Sequence, residues 1–112
     1  MDQLDLTTTF AALGDPVRRA IVDRLADGDA TVGELAALFP ITFQAVSRHI
    51  GVLESAGVVA RRREGKTRPV HLEIAALGAP AEWLDALRRR LEARYARLDA
   101  LLAAPETPKE MP

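Results

Sequence analysis

The sequence predicts a mainly α-helical domain carrying one small β-hairpin, in the order four helices, two short strands and a long closing helix. Three observations carry that expectation. Apolar residues recur at helical spacing in short blocks from Leu6 to Leu53, and the blocks are bounded by Gly, Pro or a capping Asp or Thr. The stretch from about residue 58 to 72 reads as two strands around a Gly-containing turn. From Trp83 to Leu102 the apolar residues form a single long stripe.

Leu4 to Leu13 is the first helix, with Leu6, Phe10 and Leu13 on one side and Gly14 as its stop. Asp15-Pro16 starts the second, because Asp caps free N–H groups and Pro at the first helical position loses no hydrogen bond. Val17, Ile21, Val22 and Leu25 then recur at helical spacing until Asp27-Gly28-Asp29 ends the run. Thr31-Val32-Gly33-Glu34 fits a capping box and opens a third helix through Leu35 and Leu38, which Pro40-Ile41 breaks. Thr42 caps the fourth, which runs to about Ala56 with Gly57 as its stop. The runs Val58 to Arg63 and Arg68 to Leu72 are the strands, and Pro69, which cannot donate to a ladder, places the second at an edge. Gly78-Ala79-Pro80 starts the last helix, which reaches Ala103, about 36 Å at ~1.5 Å per residue. Residues 1–104 are expected to form one domain, and Pro105 to Pro112 a disordered tail.

A short helix, a turn of about four residues and a second helix make the spacing of a helix-turn-helix unit. On its second helix Ala45, Val46, Ile50 and Leu53 share the inner face. Thr42, Phe43, Gln44, Ser47, Arg48 and Gly51 fall outside it. An ordinary wet helix face favours Glu, Lys and Gln. This one offers hydroxyls, an amide, a guanidinium and a glycine, with no acid before Glu54.

The chain of 112 residues has a formal net charge of −1, which on its face argues against a nucleic-acid partner. The distribution reverses that inference. Residues 1–47 carry seven acids against three arginines, whereas residues 48–71 carry six bases against two acids and hold both histidines. An anionic partner therefore has one place to dock. The absence of cysteine excludes disulfides, thiolate zinc sites and Cys nucleophiles. No apolar run approaches a membrane span and the first residues lack a signal-peptide pattern, so the expected compartment is the cytoplasm. An enzyme is not expected. Ser47 and His49 diverge by about 200° around their helix, and Glu64-Gly65-Lys66-Thr67 is only the tail of a phosphate loop.

Four local motifs give these elements a family likeness. They are Phe10-Ala11-Ala12-Leu13-Gly14-Asp15-Pro16-Val17-Arg18-Arg19-Ala20-Ile21, Thr31-Val32-Gly33-Glu34-Leu35-Ala36, Ala45-Val46-Ser47-Arg48-His49-Ile50-Gly51-Val52-Leu53, and Ala56-Gly57-Val58-Val59 running on through Arg63-Glu64-Gly65-Lys66. In this order and spacing the chain resembles the ArsR family of bacterial winged helix-turn-helix repressors, from about Phe10 to Leu102, and most closely its cysteine-free, autorepressor-like members. The resemblance implies a symmetric dimer built through the first and last helices, with both recognition helices facing one stretch of duplex. It does not carry over a metal site. The stretch Glu34-Leu35-Ala36-Ala37-Leu38 has no thiolate where metal-sensing members keep a cysteine pair, and Asp85, Glu92 and Asp99 occur without a histidine. No cofactor is expected, and an inducer is not predictable.

The expected DNA-binding residues are Thr42, Phe43, Gln44, Ser47, Arg48 and His49 on the recognition helix, about 42–56, and Arg63, Lys66 and Arg68 on the wing, about 58–72. Gln suits adenine and Arg suits guanine in the major groove. Phe43 either meets a sugar or thymine methyl or folds back on the turn, and His49 is either a phosphate contact or a partly buried, hydrogen-bonded group. Arg61, Arg62 and Arg63 point alternately to opposite faces, so not all three serve DNA equally. A packed role is expected for His71. Phe10, Trp83, Leu87, Leu91, Tyr95 and Leu98 are the expected dimer interface, since the stripe on the last helix is too long for so small a domain to cover. The function read from this pattern is a homodimeric repressor on a palindromic operator, with double-stranded DNA as partner. Two alternatives stand beside it: a metal- or small-molecule-responsive sensor at the dimer interface, and a protein-interaction module on the same fold.

Overall fold

A computed structural model describes residues 3–103. Five helices and two strands follow one another as α1 (Gln3–Ala12), α2 (Pro16–Leu25), α3 (Val32–Ala36), α4 (Phe43–Ser55), β1 (Val59–Arg61), β2 (Val70–Leu72) and α5 (Ala75–Ala103). The expected tail from Pro105 to Pro112 lies outside the described residues. The chain divides into two compact units, one ending at Pro80 and one beginning at Ala81.

In the first unit the helix starts follow from local chemistry. The Asp15 carboxylate accepts from the Val17 N–H at 2.9 Å and the Arg18 N–H at 3.1 Å, with Pro16 in the first helical position. At α3 the box closes in both directions: Glu34 N–H donates to Thr31 Oγ1 at 3.1 Å, and Thr31 N–H donates to Glu34 Oε1 at 2.8 Å. Thr42 Oγ1 accepts from the Ala45 N–H at 3.0 Å and caps α4. After α4, Gly57 takes a φ of +78°, the left-handed conformation that favours glycine and turns the chain into β1.

Ile21 and Leu25 of α2, Leu35 of α3, Val46, Ile50 and Leu53 of α4, and Val58, Val59 and Val70 of the hairpin are buried together. Each large side chain removed from water contributes about 2 kcal/mol. The third helix, expected to run through Leu38, is shorter: α3 ends at Ala36, and Leu38 lies in the turn beyond it, 54% exposed.

The strands are shorter than expected, three residues each, and pair antiparallel as Val59↔Leu72, Ala60↔His71 and Arg61↔Val70. β2 is an edge strand of this two-stranded sheet, as expected, but Pro69 turns toward its partner strand. Its carbonyl accepts from the Arg62 N–H at 3.0 Å, so it faces β1 and the ladder lacks one bond there. The outer side of β2 is covered at the next residue, where Ala30 and Val70 exchange hydrogen bonds of 3.2 and 2.7 Å.

The long helix begins at Ala75, five residues before the expected Pro80. Its first turn is held by tight bonds, Ala76 N–H to Glu73 O at 3.1 Å and Leu77 N–H to Ile74 O at 3.0 Å. Proline has the backbone angle of a helix and lacks only the N–H. Pro80 therefore sits inside α5 with one ladder bond missing, and the division into units falls immediately after it.

Candidate nucleic-acid interface

The helix α4, expected to be the recognition helix, is fixed from behind. Val46, Ile50 and Leu53 of α4 are fully buried, which leaves the opposite face to solvent. On that face Thr42, Phe43, Gln44 and Arg48 are exposed, while Ser47 and Gly51 are half-buried. Phe43 is 53% exposed and does not fold back on the turn. A Cβ at Gly51 would meet nothing within 4 Å, so the surface there is open.

His49 has a different place. Its Nδ1 lies 3.2 Å from Arg18 Nη1 and 3.8 Å from Asp15 Oδ2, and its side chain is 24% exposed. Arg18 in turn donates from Nε to the Ala12 carbonyl at 2.5 Å and from Nη2 to the Ala11 carbonyl at 3.4 Å. These bonds satisfy carbonyls at the end of α1 and tie α4 to the α1–α2 junction. The Arg18 backbone N–H, together with the nearby His49, holds the Asp15 carboxyl below the ordinary range despite an opposing desolvation cost. Arg18 went unnoticed in the sequence. An Arg three residues after a capping Asp, on a helix following one that ends without a basic residue, is the signal that could have found it.

The hairpin sorts its cations. Arg61 turns toward α4, where its Nε is buried without a hydrogen bond and stands 3.3 Å from Glu54 Oε1. Arg62, on the opposite face, reaches His71 Nε2 at 3.0 Å. His71 also meets Asp29 Oδ1 through Nδ1 at 3.0 Å, so both ring nitrogens are engaged. Arg63, Lys66 and Arg68 are exposed and make no ion pair or hydrogen bond through their side chains among the described residues. The tip closes with Glu64 N–H to Thr67 O at 2.9 Å and Thr67 N–H to Glu64 O at 3.0 Å. Gly65 takes a φ of +61° at the first central position, as a type II′ turn requires. Between the tip and the paired strands the register runs on unbroken, so Arg63 stands opposite Arg68. Like charges facing across a ladder repel. An anion between them removes that cost.

In the second unit the expected interface residues lie along α5. Trp83 is 50%, Leu91 40%, Tyr95 59% and Leu98 46% exposed, with Leu87 half-buried. An apolar groove runs past Leu84, Leu87, Leu91 and Tyr95. Asp85 pairs with Arg88 and Arg89, and Arg88 also donates to Glu92 at 3.1 Å. The bond from Arg88 is the main reason that the Asp85 carboxyl lies below its ordinary range. Phe10, on α1 in the first unit, is half-buried. Among the described residues no group of three or more His, Asp or Glu could hold a metal ion, and no helix is long and apolar enough to cross a membrane.

Residues 13–62 match the family model described as a helix-turn-helix domain. The chain is 44% identical over 89 residues to the HTH-type transcriptional regulator Rv2034 of Mycobacterium tuberculosis, covering 80% of this chain and 83% of that protein. It is 33% identical over 79 residues to the transcriptional repressor SdpR of Bacillus subtilis, covering 70% and 88%. The crystal structure of an ArsR family transcriptional regulator superposes with a TM-score of 0.71 at 35% identity, covering 79% of this chain and 97% of that one. The chain belongs to the ArsR family. Its fold is that of ArsR-family winged helix-turn-helix domains, with α3 and α4 as the helix-turn-helix and β1 and β2 as the wing. One such domain, the homodimeric Mb0332 fragment from Mycobacterium bovis, superposes with a TM-score of 0.62 at 24% identity, covering 80% of this chain and 83% of that one. As an ArsR-family member this protein is a transcriptional regulator with a DNA-binding fold.

Proposed function

We propose that the protein is a homodimeric, cytoplasmic repressor that binds a palindromic operator, with α4 in the major groove and the hairpin along the backbone. The observation that carries this reading is the sorting of cations. The half-buried Arg18 and Arg61 are matched by carbonyls and Glu54, and the exposed Arg62 by His71, whereas on α4 and the hairpin Arg48, Arg63, Lys66 and Arg68 stand without side-chain partners among the described residues. Phosphate contacts position the protein, and Gln44, Ser47 and Arg48 read base edges. Thr42 and Phe43 flank them, and His49 positions α4 through Arg18.

The exposed apolar stripe of α5 supports dimerisation, and Phe10 of α1 is assigned to the same interface. One copy leaves four of the expected interface residues 40% or more exposed, which a second copy would bury. Two recognition helices related by a two-fold axis then meet half-sites about 34 Å apart.

Selection of duplexes from a random pool, followed by mobility shift, tests the reading. The expected product is a palindrome with half-sites about one helical turn apart. Arg48→Ala should relax the choice at one base pair per half-site by about 1–3 kcal/mol. Failure to retain any duplex at 50 mM salt, or enrichment of sites without symmetry, would overturn it.

A further inference from the structure

His71 holds two partners on one nitrogen that need opposite states of it. Its Nε2 lies 3.0 Å from Arg62 Nη2 and 3.3 Å from Glu73 Oε1. A guanidinium only donates, so Arg62 requires a lone pair on Nε2; a carboxylate only accepts, so Glu73 requires a proton there. The other nitrogen has no such conflict, because Asp29 Oδ1, 3.0 Å from Nδ1, accepts from Nδ1–H in both states. The neutral ring is thus held as the Nδ1–H tautomer with Arg62 bonded to it. The protonated ring turns its second N–H to Glu73 and meets Arg62 as a like charge at contact distance. Asp27 lines the same shallow cleft beside Asp29, so the charged groups around the ring are Asp27 and Asp29 from the α2–α3 turn, Arg62 from the wing and Glu73 after β2.

We propose that His71 is a positioning residue for the wing: neutral, it ties Arg62 back against the strand, and protonated, it releases Arg62 to the DNA backbone, so that affinity for duplex rises as pH falls. The inference rests on the wing's role in the function proposed above. Protonated His71 stands between the carboxylates of Asp29 and Glu73, so its own charge is met locally and Arg62 supplies the new phosphate contact.

Two measurements on the full chain test it. Binding to a 40-base-pair duplex of mixed sequence is titrated against KCl at pH 8.0 and pH 5.8, for wild type, His71→Gln and Arg62→Gln. One added phosphate contact per protomer steepens the log–log salt slope of a dimer by about two on acidification. Both variants should bind duplex and lose that steepening. Normal binding at pH 8.0 with an unchanged slope at pH 5.8 overturns this inference and leaves the DNA-binding function standing, whereas no binding at either pH overturns both. A steepening that survives in Arg62→Gln belongs to another group, such as His49, and also overturns it. Imidazole nitrogen NMR of the DNA-free wild type at pH 8.0 gives a readout independent of binding. An Nδ1–H tautomer at His71 is expected, and an Nε2–H tautomer refutes the arrangement.

Discussion

The salt dependence of DNA binding can be worked out from the pairing of each cation. Arg18 is spent on the Ala11 and Ala12 carbonyls, Arg61 faces Glu54, and Arg62 is bonded to His71. On α4 and the hairpin Arg48, Arg63, Lys66 and Arg68 remain without partners among the described residues, and with Arg48 assigned to a base edge and Arg90, Arg94 and Arg97 lying on α5, the three hairpin cations are left for phosphate. A dimer therefore brings about six phosphate contacts, each of which releases counterions, for a log–log slope near −5. Affinity should fall about 10³-fold between 50 and 200 mM KCl. Fluorescence anisotropy with a labelled duplex at pH 8.0 measures the slope. Lys66→Ala, which removes two contacts per dimer, should make it shallower by about two. The double change Arg61→Gln with Glu54→Gln removes a pair that is already matched and should leave it unchanged. A wild-type slope shallower than about −3, or a double variant that behaves like Lys66→Ala, would refute the sorting of cations on which the interface is built.

Three further outcomes are expected. Ile50→Ala deletes a fully buried side chain behind the recognition helix and should cost about 3–4 kcal/mol in urea unfolding at fixed protein concentration; a loss under 1 kcal/mol would show that this face does not anchor α4. Leu91→Asp, placed in the apolar groove of α5, should convert the proposed dimer to monomer in sedimentation without melting the first unit, as read by far-UV circular dichroism. Asp15 and Glu34 are both held below the ordinary carboxylate range, mainly by the backbone N–H groups of Arg18 and Thr31 respectively. Their stabilising effect should be complete above about pH 5 and fade as the pH drops toward their folded values, because there the unfolded chain takes up protons first. Urea midpoints between pH 6 and 3 measure that loss, and Glu34→Gln, which keeps an acceptor but does not titrate, should reduce it.

Much of this fold is legible because its stops and starts are written in adjacent residues. Asp15-Pro16 and Thr31 with Glu34 act over three or four positions, so their caps could be read directly. The inner face of α4 followed from spacing alone, since Val46, Ile50 and Leu53 share one side of a helix. The start of α5 was obscured because Pro80 is compatible both with a first helical position and with a place one turn inside, where only a single bond is lost. Partners separated in sequence were not legible. That Arg61 would meet Glu54, or Arg18 would meet His49, depends on how α2, α4 and β1 pack. The Arg62–His71 contact is intermediate. Ala60 pairs with His71, and Arg62 shares the face of Ala60, so a known hairpin register would have brought the two together.

The closed tip at Gly65-Lys66 imposes a parity rule on the wing. With no residue to spare between the Glu64↔Thr67 bridge and the strand pairs, lengthening both strands by one residue would exchange the faces presented at the tip. The two opposed arginines would then point to the side now held by Arg62 and His71, away from the side on which they are proposed to meet phosphate. Lengthening each strand by two residues preserves the facing pair and moves it outward by about 7 Å, at ~3.4 Å per residue. Reach along a duplex can therefore be adjusted only in steps of that size, which makes wing length a coarse, countable variable for anyone re-engineering this protein toward a different operator spacing.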